Sequence, residues 1–227
     1  MNNVSQPKPL ITQAPKSQRI LITAGPTREP IDAVRFISNR SSGRMGFALA
    51  DAAAQAGHDV TLLLGPVLAP TTLGDRVDVV RFQTTAELQT LLEEHFPACD
   101  QLIMAAAVAD YRVANFTEGK TERKKHLKIE LEGTPDLVAC IAQTKRDDQQ
   151  VIAFALEEPH ELEARAVAKM KRKGVDAIVA NPLVTMEGDS VNAVLLHADG
   201  NREEPDSGNA MTKEAFAGWL IDRLSVR

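Results

Sequence analysis

The chain alternates short apolar runs with longer amphipathic stretches, and this alternation predicts strands separated by helices. Short apolar runs bounded by turn residues are typical of strands buried in a parallel sheet. Such strands are expected at 19–24, 59–64, 77–82, 101–108, 151–156 and 176–180, with an exposed strand at 128–131 and a hairpin-like strand at 192–197. Apolar positions with helical spacing predict helices at 43–57, 85–96, 135–143, 161–173 and 211–224. The order predicts a Rossmann-like, doubly wound α/β fold, with a mostly parallel sheet and helices on both faces.

Length and composition fit one globular domain. The chain has 227 residues, of which 44% are hydrophobic and 25% charged. We expect the domain to span 18–227, after a polar tail at 1–17 that is predicted to be disordered. The tail does not resemble a signal peptide, and no apolar run is long enough to cross a bilayer. The sequence therefore predicts a cytoplasmic protein with no membrane association.

Charge and cysteine content exclude several classes of partner. The net charge of -5 and the aromatic content of 4% argue against a protein that binds nucleic acid by stacking bases on its surface. Cys99 and Cys140 are far apart and have no neighbour at metal-ligand spacing, so neither a disulfide framework nor a zinc site is expected. An anionic ligand remains compatible with this composition, because local charge decides its binding.

The first predicted strand is followed by segments that suit an anion site. Gly25 ends the strand, and Ser41, Ser42 and Gly43 lie at the predicted helix start between Arg40 and Arg44. Hydroxyl groups, a close backbone approach at glycine and the N–H groups of a helix start can hold phosphate. The alternative is that Ser41 or Ser42 merely caps the helix.

The strand predicted at 101–108 leads into a second candidate loop. Ala107 is small enough to let a flat ligand approach, and Asp110 offers an acceptor or a metal ligand. The alternative is a packed alanine-rich strand with Asp110 as a turn residue. The charged segment at 110–126 then suggests a lid, in which basic residues would close over phosphates.

The helix predicted at 161–173 carries Lys169 and Lys173 one turn apart on one face, where they could grip a polyphosphate. Lys171 and Arg172 are expected to point elsewhere. The alternative is that this basic cluster only complements the helix C-terminus. Asn181 lies at the end of the next strand and could face the same ligand.

Two motifs that would indicate other chemistry are missing. The glycine fingerprint G-x-G-x-x-G does not follow the first strand, which weakens a reductase interpretation. The nucleophile elbow G-x-S-x-G is also missing, so covalent catalysis by the protein is not indicated.

Taken together, the loops resemble those of the phosphopantothenoylcysteine synthetase family. The resemblance runs in order from about Arg19 to Arg227, through the segments 23–32, 37–46, 105–111, 135–137, 154–157 and 169–181. It is to the bacterial type, usually the C-terminal half of a bifunctional protein with a flavin-dependent decarboxylase. The resemblance implies use of CTP and Mg²⁺ to convert the carboxylate of 4′-phosphopantothenate into an acyl-cytidylate, from which the amine of cysteine displaces CMP. FMN is not expected, and the decarboxylase could be a separate partner. A homodimer is also implied, while the choice of CTP or ATP stays open.

The resemblance also assigns roles to residues. Asn39 corresponds to the family's catalytic asparagine, whose amide would hold the reacting carboxylate or the acyl-cytidylate carbonyl. Lys120, with Lys124 as the alternative, corresponds to the catalytic lysine of the flexible loop. The nucleotide-binding set comprises Gly25, Ser41, Ser42, Gly43, Ala107, Asp110, Pro135, Asp136, Phe154, Lys169 and Lys173, with Asp110 also the candidate metal ligand.

The chain departs from the family pattern at two further positions. Thr134 stands where the family often has asparagine, and Leu156 stands where it has alanine. Two alternative functions remain at this point: an NAD(P)-dependent reductase on a Rossmann-like fold, and a nucleotide-binding module without catalysis.

Overall fold

The computed structural model describes residues 17–67, 73–183, 188, 190–205 and 210–225. The tail predicted for 1–17 lies outside the described residues, except for Ser17. In chain order the strands are β1 (Arg19–Ala24), β2 (Arg28–Pro30), β3 (Phe36–Ser38), β4 (Asp59–Leu64), β5 (Val77–Arg81), β6 (Gln101–Met104), β7 (Tyr111–Val113), β8 (Leu131–Gly133), β9 (Gln150–Glu157), β10 (Ala177–Pro182), β11 (Ser190–Val191), β12 (Val194–His197), β13 (Arg202–Glu203) and β14 (Met211–Thr212). The helices are α1 (Arg44–Gln55), α2 (Thr85–His95), α3 (Leu137–Ala142), α4 (Leu162–Lys173) and α5 (Lys213–Leu224), with 3₁₀ turns at Phe96–Ala98 and Pro159–Glu161.

The central sheet has eight strands in the order β13-β12-β10-β9-β6-β1-β4-β5. The strands from β10 to β5 pair in parallel, while β12 and β13 add antiparallel pairs at one edge. Numbered among themselves, the parallel strands lie in the order 3-2-1-4-5-6 of the Rossmann fold. The predicted fold class is therefore confirmed.

Strand β1 is the point where the winding reverses. It pairs with β4 on one side and with β6 on the other. The chain first builds outward through β4 and β5, and then returns to β6. Ligands of such sheets bind beyond the carboxyl ends of the strands at this switch point.

Helices cover both faces of the sheet because side chains of β1 alternate between them. Ile22 packs in the cluster that holds Phe216 of α5, on the face that α1 also covers. Leu21 packs in the opposite cluster, which holds Leu88 of α2 and Met170 of α4. Each face buries its own core.

Two predicted strands differ from the observed ones by more than two residues at one end. β6 ends at Met104, before the end that the sequence predicted, because its pairing with β1 is interrupted there: Ala106 N donates to the side-chain Oγ1 of Thr23 (3.1 Å). Pairing returns only as an isolated bridge between Pro26 and Ala107, in which Ala107 N donates to Gly25 O (2.9 Å). The exposed strand predicted at 128–131 is also wrong. Strand β8 begins only at Leu131, the last residue of the predicted strand, and it pairs with β7.

Two hairpins outside the central sheet were not predicted. Strands β2 and β3 form one, and β7 and β8 form the other. Asp32 Oδ1 accepts hydrogen bonds from the N–H groups of Val34 and Arg35 in the β2–β3 turn. Strands of three residues are too short to show a periodic pattern.

The helices begin within a few residues of their predicted starts. Thr84 caps α2, Asp136 caps α3, and Thr212 caps α5, each by accepting a backbone N–H. Thr212 and the preceding Met211 belong to β14 rather than to the final helix. In the part of the chain that the structure describes, no helix combines the length and apolar character needed to span a bilayer.

Gly46 determines how closely α1 approaches the end of β1. A Cβ atom added there would lie 2.2 Å from Cβ and 3.0 Å from Cα of Ala24, which is fully buried. We predict that Gly46→Ala lowers the free energy of unfolding by about 1–3 kcal/mol, because a packed core resists the added methyl group. Urea unfolding measures this change.

The matched control is Gly218→Ala. Gly218 lies in α5, and a Cβ atom there would have no neighbour within 4 Å. This variant is expected to stabilise the protein by about 0.5–1 kcal/mol, since alanine favours the helix. Equal effects of the two substitutions would contradict the close contact at Gly46.

Candidate functional site

A cleft of about 750 Å³ lies at the carboxyl ends of the strands β1, β6, β9 and β10. Its walls come from the segment after β3, the loop after β6, the start of α3, the end of β9 and the last turns of α4. Most of the residues predicted for the site line it: Asn39, Ser41, Ser42, Gly43, Ala107, Asp110, Pro135, Asp136, Phe154, Lys169 and Lys173. Gly25 and Lys120 do not.

The start of α1 forms one wall. Gly43 adopts a left-handed conformation (φ 72°), and no side chain caps the helix, so the described structure does not support capping by Ser41 or Ser42. Instead, Ser41 Oγ accepts a hydrogen bond from Gly43 N (3.4 Å). Gly25 is also left-handed (φ 79°) and lies behind Gly43. A Cβ atom added to Gly43 would lie 3.4 Å from Gly25 N. Gly25 shapes the turn, and Gly43 faces the cleft.

Asn39 joins this wall to the loop after β6. Its Nδ2 donates to the backbone oxygens of Ala107 (3.3 Å) and Val108 (3.0 Å). Both partners are acceptors, so the nitrogen must face them, and the contacts account for both N–H groups of the amide. The atom that Asn39 can still offer a ligand is Oδ1, an acceptor.

Thr27 ties the same segments together from beneath the cleft. It is fully buried, and its Oγ1 accepts from Ala109 N (2.9 Å). Its backbone N–H donates to Ala107 O (3.2 Å), and its O accepts from Ser38 Oγ (2.7 Å). Thr27 was not among the residues predicted for the site, although its place directly after Gly25-Pro26 marked the switch-point loop.

Thr134 holds the other end of the loop after β6. Its Oγ1 donates to Ala109 O (2.5 Å), and its N–H donates to Asp110 O (3.0 Å). The departure from the family's asparagine thus places a hydroxyl group that supports the loop.

The lysines of α4 both reach the cleft, and each is paired with a carboxylate. Lys169 Nζ lies 2.5 Å from Oε1 of Glu157, whose side chain is only 5% exposed. A buried carboxylate needs such a partner to offset its desolvation. Glu157 therefore holds Lys169 at the end of β9, beside Phe154 and the exposed Leu156.

Lys173 forms the second pair. Its Nζ lies 2.6 Å from each carboxylate oxygen of Asp136, and Asp136 Oδ1 also accepts from Ala139 N (3.2 Å) at the start of α3. Burial acts to raise the pKa of Asp136, but the hydrogen bonds from Lys173 and Ala139 and the charges of Lys173 and Arg172 lower it overall. Asp136 is therefore a helix cap and a lysine partner at once.

Arg172 also lines the cleft, so the prediction that it points elsewhere is wrong. It follows Lys169 by three residues, and residues three apart lie on the same face of a helix. Lys213 was missed altogether. This lysine is 6% exposed and lines the cleft from the first turn of α5, and Asn181 near the end of β10 lines the same cleft. Its position depends on tertiary packing, which no local motif shows.

The structure does not bring the candidate loop lysines into the cleft. Lys120 and Lys124 are exposed and lie outside its lining. The segment around Lys120 is attached to the β2–β3 turn: Gly119 O accepts from Ala33 N (3.1 Å), and Thr121 N donates to Asp32 Oδ2 (3.1 Å). The catalytic role of Lys120, or of Lys124, stays a prediction.

Asp110 is the candidate metal ligand. It is exposed and lines the cleft. Within the described residues, no group of three or more His, Cys, Asp or Glu side chains could hold a metal ion. A single carboxylate still fits Mg²⁺, which keeps several waters and binds through one or two carboxylates together with substrate phosphates.

The cysteines are placed away from this chemistry. Burial, together with the charge of Asp100, raises the pKa of Cys99 to about 12. Cys99 borders the amino ends of the strands, and Cys140 is an exposed free thiol. Cys99 and Cys140 do not line the cleft.

The fold and the cleft define a Rossmann-like α/β domain with a cleft lined by several cationic side chains at its switch point. Residues 16–226 match the family described as the DNA/pantothenate metabolism flavoprotein C-terminal domain, and the chain belongs to this family.

Individual relatives agree with this assignment. A protein of an unknown prokaryotic organism, called a cysteine/cysteine sulfinic acid decarboxylase, is 45% identical over 178 residues, 78% of this chain and 49% of its own length. The coenzyme A biosynthesis bifunctional protein CoaBC of Escherichia coli (strain K12) is 38% identical over 221 residues, 93% of this chain and 52% of its own length. The chain thus spans about half the length of these curated relatives.

A solved structure covers the matching half. The crystal structure of the C-terminal domain of CoaBC has a TM-score of 0.77 and 33% identity, over 94% of this chain and 97% of that one. The family resemblance drawn from the loop motifs is therefore confirmed.

The double role of Asp136 leads to a pH-dependent prediction. Asn also caps helices, so Asp136→Asn should keep the start of α3 but lose the ion pair, while Asp136→Ala should cost about 1 kcal/mol more. Because the folded-state pKa of Asp136 is lowered, the pair contributes fully above the unfolded pKa of about 3.9, declines below it, and is lost as the pH falls through the lower folded-state pKa. Urea unfolding in a pH series from about 7 down to about 2 should therefore show an advantage of wild type over Asp136→Asn that is largest at neutral pH and shrinks steadily below about pH 4. An advantage that does not shrink over this range would contradict the assignment.

Proposed function

We propose that the chain is a phosphopantothenate–cysteine ligase of coenzyme A biosynthesis. Family membership and the likeness to the C-terminal domain of CoaBC support this function. The observation that carries it is the cleft itself, where the Asn39 segment, the loop after β6 and the lysines of α4 meet.

The proposed reaction has two steps. The carboxylate of 4′-phosphopantothenate attacks the α-phosphate of CTP, forming an acyl-cytidylate and releasing pyrophosphate. The amine of cysteine then attacks the acyl carbon, and CMP leaves as the amide forms. Both substrates of the first step are anions, so the protein contributes positioning and charge stabilisation rather than a nucleophile.

The walls of the cleft divide these tasks. Ser41, Ser42 and Gly43 suit a phosphate group, because they present hydroxyls and the start of a helix. Lys169 and Lys173 suit the phosphates of the nucleotide. The remaining members of the proposed nucleotide set are Gly25, Ala107, Asp110, Pro135, Asp136 and Phe154. In this proposal the ring of Phe154 packs against the base.

Asn39 suits the second step. Its N–H groups hold the loop after β6, so Oδ1 is the atom available to the reactants. An acceptor attracts an N–H group and repels a carboxylate. We therefore assign Asn39 to orienting the amine of cysteine rather than to holding the carboxylate.

Mg²⁺ would be held by Asp110 together with the nucleotide's phosphates. When bound, it would neutralise charge on those phosphates. The residues of the cleft bind and orient the remaining groups. A cytoplasmic location and a separate flavin-dependent decarboxylase as partner belong to the same proposal.

A homodimer is proposed on the strength of exposed apolar side chains. They lie on the two hairpins and the segment that connects β7 to β8: Val34, Phe36, Tyr111, Phe116, Leu127, Ile129 and Leu131. Phe116, for example, is 54% exposed. Strands β2 and β7 are in contact, so the hairpins form one surface. Large apolar surfaces of this kind commonly mark interfaces.

The dimer proposal is tested by sedimentation at micromolar concentration. We expect a dimer for the wild type and a shift toward monomer for Phe116→Ser. Val79→Ser, on the edge strand β5, removes an exposed apolar side chain elsewhere and should leave the dimer intact. A monomeric wild type would refute the proposal.

The first step leads to a test of the activity. With Mg²⁺ and without cysteine, the protein should release pyrophosphate from CTP only when 4′-phosphopantothenate is present, because the carboxylate is the attacking group. A coupled pyrophosphate assay measures this, and a parallel series with ATP decides the nucleotide. No release with either nucleotide would refute the ligase.

A variant of Asn39 separates the two steps. Asn39→Ala should still bind CTP but lose amide formation at least about tenfold, as expected for a hydrogen bond made to the reacting amine. Mass spectrometry of the amide product gives the readout. Unchanged amide formation would remove Asn39 from the mechanism.

A further inference from the structure

The last turns of α4 present three cations to the cleft, and two of them are already neutralised. Lys169 is paired with Glu157 at 2.5 Å, and Lys173 with Asp136 at 2.6 Å. These two lysines and two carboxylates carry no net charge together. Their attraction for an anionic ligand is weaker than that of two free lysines.

Arg172 is the cation that remains. It lines the cleft, and its side chain is exposed. In the sequence it lies between the two paired lysines. Within the described ranges, no carboxylate lies at ion-pair distance from its guanidinium, whereas Glu157 and Asp136 each hold a lysine.

We propose that Arg172 is a phosphate-binding residue of this cleft, and that it supplies the uncompensated charge of the α4 wall. This inference rests on the proposed function for the identity of its ligands, CTP and 4′-phosphopantothenate. The chemistry itself requires only a phosphate group.

Arginine suits this task better than a third lysine would. The guanidinium is planar and can donate two parallel N–H bonds to two oxygens of one phosphate. Lys169 and Lys173, held by their carboxylates, then provide fixed walls on either side. Arg172 provides both the net attraction and the geometry.

Lys171 offers a matched control. It is the neighbouring residue of α4, it is also exposed and carries the same charge, but it does not line the cleft. Arg172→Gln and Lys171→Gln therefore change the total charge equally, and only the first removes a group from the cleft.

Titration calorimetry at about 0.15 M salt tests the proposal with CTP, 4′-phosphopantothenate and inorganic tripolyphosphate as probes. Arg172→Gln should weaken binding of at least one probe about tenfold, as for a charge-assisted hydrogen bond. Lys171→Gln should change binding less than about twofold, because salt screens a distant surface charge. Arg172→Lys should fall between wild type and Arg172→Gln. Thermal unfolding checks that all variants are folded.

Each outcome has a defined meaning. A selective loss for CTP and tripolyphosphate assigns Arg172 to the nucleotide, and a loss confined to 4′-phosphopantothenate assigns it to that substrate. Equal effects of Arg172→Gln and Lys171→Gln overturn the proposal while leaving the ligase intact. If Arg172→Gln selectively weakens the binding of tripolyphosphate while the wild-type protein fails the pyrophosphate assay, Arg172 stays a phosphate-binding residue and the ligase proposal is rejected. Wild-type protein that binds none of the probes would overturn both.

Discussion

The candidate site depends on a set of hydrogen bonds that join the loops after β1 and β6. Thr27 uses its N–H, its hydroxyl and its carbonyl oxygen, and it does so in a fully buried position. Asn39 adds two bonds to the same loop from the cleft side. Buried polar groups of this kind are costly when they lose their partners. These hydrogen bonds therefore hold the two loops in one arrangement. That arrangement fixes the positions of the residues that face the cleft.

A second constraint acts on the opposite wall. The side chain of Glu157 is almost fully buried, so it requires a cationic partner, and Lys169 is that partner. Asp136 must cap α3 and pair with Lys173 at once. The lysines are consequently fixed before any ligand arrives. Binding then avoids part of the entropy cost of ordering long side chains.

The sequence predicted the central sheet well because its strands are buried on both faces and its helices are amphipathic. It failed where pairing depends on distant segments. The three-residue strands of the β2–β3 hairpin gave no periodic signal. Residues 105–107 look like a continuation of β6, although Ala106 N donates to the side chain of Thr23 and pairing returns only as an isolated bridge at Ala107. The sequence motifs predicted most of the residues that line the cleft, because those motifs lie at the ends of strands. Lys213 escaped notice, since only packing brings the start of α5 to the cleft.

An acidic protein with a net charge of -5 can still present a cationic cleft, and the placement of its carboxylates explains how. Glu157 and Asp136 neutralise two lysines but leave Arg172 uncompensated in the same wall. Charges elsewhere on the surface act through water and salt, which reduce their effect beyond roughly 8 Å. An incoming phosphate therefore responds mainly to the few cations that line the cleft. The local arrangement, and not the total charge, determines which ligand the domain can hold.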